Sequence, residues 1–112
     1  MFIEAINAGL AAGESEISKK AARMVISGGL VRFLGDIGRG EKPEVCAVHL
    51  YCLAKASCTL CGAEKEKLIS ILTLCSALDS EKNSPDLTKE IASYLGLSRE
   101  ALTAVIKTAS SE

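Results

Sequence analysis

Residues 88–107 read TKEIASYLGLSREALTAVIK, and this stretch decides the fold class. Ile91 and Leu95 lie four apart, and Ala101, Leu102, Val105 and Ile106 repeat at three- and four-residue steps, the spacing of a helix face. Gly96 supplies the positive φ of a tight turn, and Ser98 caps the helix after it. The stretch therefore predicts two short helices, 86–95 and 98–109, joined by a sharp corner. Ala92 is small where the helices cross, and Ile91, Leu95, Leu97, Leu102 and Val105 are expected to fill the core between them. Upstream, Ser84-Pro85-Asp86 reads as a helix start: a cap, a proline in the first turn, and an acid at the positive end of the dipole.

Helical spacing continues towards the N-terminus, and no alternating strand pattern stands out. Leu68, Ile71, Leu72, Cys75 and Leu78 share one face of a helix over 63–78, and a polar linker, 79–84 (DSEKNS), comes after it. Pro43 opens a helix carrying Val45, Val48, His49, Cys52, Leu53 and Ala56, which is expected to fray over 57–62. Residues 35–42 (GDIGRGEK), with three glycines and four charges, read as a loop. Before it, Ser15 caps a helix whose stripe is Ile17, Ala21, Met24, Gly28, Val31 and Leu34. Gly28-Gly29 costs this helix roughly 1 kcal/mol per glycine against alanine, so the pair marks a kink or a close helix contact. Phe2, Ile3, Ile6 and Leu10 form a first short stripe that Gly13 ends. The expected fold is all-α: a compact bundle of five or six helices in one domain. Its N-terminal helices occupy 1–62, and a three-helix, helix-turn-helix-like unit occupies 63–112.

Length and composition agree with this. The 112 residues suit one domain, and 48% of them are apolar, which excludes a disordered chain. Thirteen cations against fourteen acids give a net charge of -1, so no whole-molecule field draws the chain to nucleic acid or anionic membrane. No run reaches the roughly 18 apolar residues of a membrane span, and no signal-peptide pattern opens the chain. A cytoplasmic protein is expected.

Residues 88–107 resemble the helix-turn-helix of bacterial transcription regulators, especially the catabolite-activator/Fnr and LuxR-type families. The resemblance covers about a fifth of the chain. It implies that the last helix enters the major groove of DNA. Ser98, Arg99 and Glu100 match the Ser-Arg-Glu that opens the recognition helix in catabolite-activator relatives. Arg99 would read guanine, and Glu100 would accept from a cytosine amino group. Thr88 and Lys89 would lie near phosphate, with Thr103 and Lys107 one and two turns further on. Such modules commonly bind as homodimers. From Ser84 onward, however, Lys89, Arg99 and Lys107 face Asp86, Glu90, Glu100 and Glu112, one acid more than bases. The same corner also suits packing alone, since Gly96-Leu97-Ser98 is a C-cap followed by an N-cap. Residues 68–102 loosely resemble the second half of tellurite-resistance B-type helical domains, which implies a non-enzymatic module that meets a protein partner.

Five cysteines and one histidine offer a third reading. Cys46, His49, Cys58 and Cys61 have the ligand types of a zinc site, and Cys58-Thr59-Leu60-Cys61 is a CxxC pair of the kind that helical peroxidases use for thiol chemistry. Against this, Cys46, His49 and Cys52 sit among apolar helix positions, and no histidine comes after the CxxC. Most of the cysteines are expected to be buried thiols. No metal, cofactor or catalytic residue is assigned, and no P-loop or dinucleotide fingerprint is present.

Overall fold

The computed structural model describes residues 2–13, 16–76 and 85–111, without the side chains of 85–88, 90, 99, 106 and 109–111. Within them the chain is all-α. Six helices succeed one another: α1 (Phe2–Ala11), α2 (Lys19–Arg39), α3 (Pro43–Ser57), α4 (Gly62–Ser76), α5 (Pro85–Leu95) and α6 (Arg99–Ser111). No helix is long and apolar enough to cross a membrane, among the described residues.

The helices assemble around α2 and α3. One face of α3 takes α1 and another takes α2, while α6 lies along α2 and α4 packs on α1, α3 and α5. A single core draws on all six helices, with Ile6, Ile26, Leu30, Phe33, Leu50, Leu53, Leu68, Leu72, Ile91 and Leu102 buried in it. Phe2 meets Phe33 edge-on, ring centroids 5.8 Å apart, which ties the first turn of α1 to the middle of α2.

Two glycines set how closely these helices approach. Gly9 of α1 lies against α3, where an added Cβ would stand 2.7 Å from the Ala54 Cβ and would also strike the Tyr51 carbonyl. Gly29 of α2 faces Leu53 of α3, whose Cδ2 would be 2.6 Å from an added Cβ. The Gly28-Gly29 pair thus divides: Gly29 marks a close helix contact, whereas Gly28 faces open space.

α2 corrects the sequence reading in three ways. Its N-cap is Ser18, whose Oγ accepts from the Ala21 N–H at 3.2 Å; Ser15 lies outside the described residues. The helix then runs through Gly35 to Arg39, where a loop was expected, because Leu34, Gly35 and Asp36 are buried against its neighbours. It stops only at Gly40, where φ is 72° and the N–H bonds the carbonyls of Asp36 and Ile37. Finally, the buried face is Ala22, Ile26, Leu30, Phe33 and Leu34, not the line through Met24 and Gly28, both of which are exposed.

α3 departs only in part from its expected stripe, since Leu53 and Ala56 are buried as the spacing predicts. Cys46, Leu50, Leu53, Ala54 and Ala56 are buried, while Val45, Val48 and Cys52 of the expected stripe are exposed. As expected, the helix gives out at Ser57, and residues 58–61 lead non-helically into α4 at Gly62. α4 buries Leu68, Ile71, Leu72 and Cys75 as the spacing predicts; Leu78 and the 79–84 linker lie outside the described residues.

The glycines give a paired stability test. Gly9→Ala is expected to destabilise the fold by about 1–3 kcal/mol, because backbone has to move to admit the methyl. Gly28→Ala has room, and is expected to stabilise it by about 0.5–1 kcal/mol through helix propensity. Urea denaturation of the two variants beside the parent chain measures both.

Candidate functional site

The α5–α6 corner is built as the sequence implies. Gly96 takes φ 71°, and the Leu97 N–H closes back on the Ala92 carbonyl at 3.0 Å. Ser98 Oγ then accepts the Ala101 N–H at 3.1 Å, and its carbonyl takes the Leu102 N–H at 2.9 Å. Ile91, Ala92 and Leu102 are buried, and Tyr94 and Leu95 pack partly against the same core. Leu97 and Val105, expected inside, are both exposed. The physical reason is the seat of α6. It lies mainly along α2 rather than α5, and among its described side chains only Leu102 is fully buried; the side chain of Ile106 lies outside the described residues.

That seat leaves an outer line on α6. Glu100, Thr103, Ala104 and Lys107 succeed one another at helical steps and line a shallow surface depression of about 480 Å³. Of the residues implicated in DNA contact, Ser98, Glu100, Thr103 and Lys107 are exposed along α6, and Lys89 is exposed on α5. The side chains of Thr88 and Arg99 lie outside the described residues.

The charge around α6 is not that of its own segment. α2, the helix beneath it, carries Lys19, Lys20, Arg23, Arg32 and Arg39 against one acid, Asp36. This excess is readable in the sequence; its position beside α6 is a product of tertiary packing. Some of it is engaged locally. Arg23 holds Glu64 of α4 through paired bonds of 2.8 and 3.2 Å, and that guanidinium keeps the Glu64 carboxyl below its ordinary value. The pair borders a cleft of about 260 Å³ with Ser27 and Tyr94.

A polar cluster that sequence reasoning missed lies between α2 and α3. Asp36 is buried, and Arg39 contacts its Oδ1. Its Oδ2 stands 2.9 Å from His49 Nε2, yet has no aligned hydrogen bond. The single hint was an acid at the end of an apolar helix line. His49 is half-buried, and burial, helped by the positive charge of Arg32 and Arg39, holds it below the usual histidine range. The negative charge of Glu41 opposes this shift and does not overcome it.

The cysteines split. Cys46, Cys58 and Cys75 are buried, while Cys52 and Cys61 are exposed. Burial pushes the Cys46 thiol up, and pushes Cys75 up to about 12. Cys46 lies in the α3 face near Arg39 and Glu41, whereas Cys58 and Cys61 lie past the end of that helix. The zinc alternative needed these groups together. Among the described residues, no group of three His, Cys, Asp or Glu side chains is placed to hold a metal ion.

His49 carries a pH dependence whose sign comes from its lowered value. Below the ordinary histidine pKa of 6.5 the unfolded chain takes up a proton that the folded chain resists. Stability is therefore whole above that pH and is lost as the pH falls towards the folded value. Urea midpoints measured from about pH 7.5 to 5.5 are expected to fall more steeply for the parent chain than for His49→Gln.

No protein-family model, curated protein or solved structure matches this chain, so the functional reading rests on its own residues.

Proposed function

We propose that this chain is a small DNA-binding protein that presents α6 to the major groove. The observation that carries the reading is the outer line of α6, Glu100, Thr103 and Lys107, left exposed while Leu102 anchors the helix beside the cation-rich α2. Glu100 has the carboxylate to accept from a cytosine amino group, and Arg99 is the residue assigned to guanine. Lys89 and Lys107 supply phosphate contacts, with the exposed Lys20 and Arg32 of α2 adding to the field. Dimerisation would pair two α6 helices on successive turns of the duplex.

One observation favours a second reading, a non-enzymatic module that binds another protein. Met24 is 69% exposed and Val48 59%, with Val25 and Val45 also open to solvent. Gly29 against Leu53 and Asp36 against His49 set α2 and α3 antiparallel. Exposed apolar side chains towards both ends of this helix pair are surface that a protein partner would cover.

Fluorescence anisotropy against mixed-sequence duplex DNA separates the two. The DNA reading expects binding that weakens steeply with salt. Lys107→Ala is expected to lower the salt slope by about one, and Arg99→Ala to cost about 1–3 kcal/mol at a preferred site. Absence of binding at low salt would overturn it and leave the protein-binding reading.

A further inference from the structure

Cys58 and Cys61 belong to no part of the DNA reading, yet their surroundings differ in a way that suits paired thiol chemistry. Cys58 is the C-cap of α3, and the chain keeps winding past it: the Thr59 N–H bonds the Ala56 carbonyl at 3.1 Å and the Leu60 N–H bonds the Ser57 carbonyl at 3.0 Å. Cys61 comes next, directly before α4. Two residues, Thr59 and Leu60, separate the cysteines, and a disulfide between them needs a Cα spacing of ~4.4–6.8 Å.

The two sulfurs have unequal access. Cys61 is exposed, and Lys19 Nζ donates to its Sγ at 3.3 Å. Arg23 stands nearby on the same face of α2. Cys58 is 8% exposed, and its thiol donates only weakly, at 3.6 Å, to the carbonyls of Leu10 and Ala54. One sulfur can meet a reagent in solution. The other waits behind it, held by weak bonds that are easily given up.

We propose that Cys58 and Cys61 form a dithiol–disulfide couple, oxidised by a low-molecular-weight disulfide with anionic groups, such as glutathione disulfide. Cys61 loses its proton to solvent and its sulfur attacks one sulfur of the oxidant. The oxidant's S–S bond breaks and one thiolate leaves, with Lys19 placed to balance charge on the attacking sulfur and to draw the oxidant's carboxylates. Cys58 then gives up its proton and attacks the Cys61 sulfur, and the second small thiolate leaves. Two protein thiols lose two electrons and two protons; the oxidant gains them as two small thiols. The new bond takes Cys58 from the Leu10 carbonyl of α1 and Cys61 from Lys19 of α2, so oxidation loosens one anchor on each helix.

Cys52, exposed on α3, provides a reference inside the same molecule. The folded parent chain is incubated with glutathione disulfide, quenched at intervals by acid and alkylation, and digested with trypsin, which leaves both cysteines in the peptide 56–65. The expected result is a transient mixed disulfide on Cys61, then a peptide lighter by two hydrogens that resists alkylation. Cys61 is expected to react at least tenfold faster than Cys52. Lys19→Gln is expected to slow Cys61 several-fold and leave Cys52 unchanged, and Cys58→Ala to accumulate the mixed disulfide. A lasting mixed disulfide on Cys61 in the parent chain, or equal rates at Cys52 and Cys61, would overturn the proposal. The parent time course decides even where Cys58→Ala fails to fold.

Discussion

The fold depends on the near-backbone contact of α3 with its two neighbours. Gly9 brings α1 onto the Tyr51–Ala54 segment, and Gly29 brings α2 onto Leu53. With only hydrogen at these positions, the helices come close enough for Phe2 to reach Phe33 and for Leu50 and Leu53 to close the core. A side chain at Gly9 would strike α3 backbone and hold α1 away, whereas one at Gly29 would displace the tip of Leu53. The cost of glycine within a helix is thus offset by dispersion gained along a whole interface.

α2 passes this arrangement on to the rest of the molecule. It is fixed by α3 on one side and offers α6 a seat on another. Its length matters: had it ended at Leu34, neither Asp36 nor Arg39 would stand opposite His49. The same helix gathers the cations that α6 lacks. Lys19 and Arg23 of this excess face Cys61 and Glu64, while Arg32 and Arg39 stand near His49 of α3.

The all-α class and the corner at 95–98 were legible because each rests on local chemistry: Ser98 as a cap, Gly96 at positive φ, and the spacing of Ile91 and Leu102. The buried faces of α2 and α3 were not. Each helix carries two apolar lines at helical spacing, and periodicity alone cannot choose between them. In α2 the line with Ile26, Leu30 and Phe33 wins because it holds the larger side chains and the glycine that admits Leu53. The glycines of 35–40 read as a loop because propensity counts them equally, while tertiary burial keeps all but Gly40 helical. Of the candidate site, spacing gave only the helical steps between Glu100, Thr103 and Lys107 on α6. The Asp36–His49 approach was not legible, since it joins two helices across a turn that sequence cannot orient.

The start of α2 has a kinetic side. Its first turn holds Lys19 and Lys20 and no acid, so both cations oppose the helix dipole where Ser18 alone caps it. The groups that answer this charge come from elsewhere: Glu64 on Arg23, 41 residues along the chain, and Cys61 on Lys19, 42 residues along. These turns gain such support only after a long loop has closed, and closing it costs chain entropy. An order of assembly results. The α2–α3 hairpin, whose partners are close in sequence, can form early, and the start of α2 gains its Arg23–Glu64 pair only once α4 has docked.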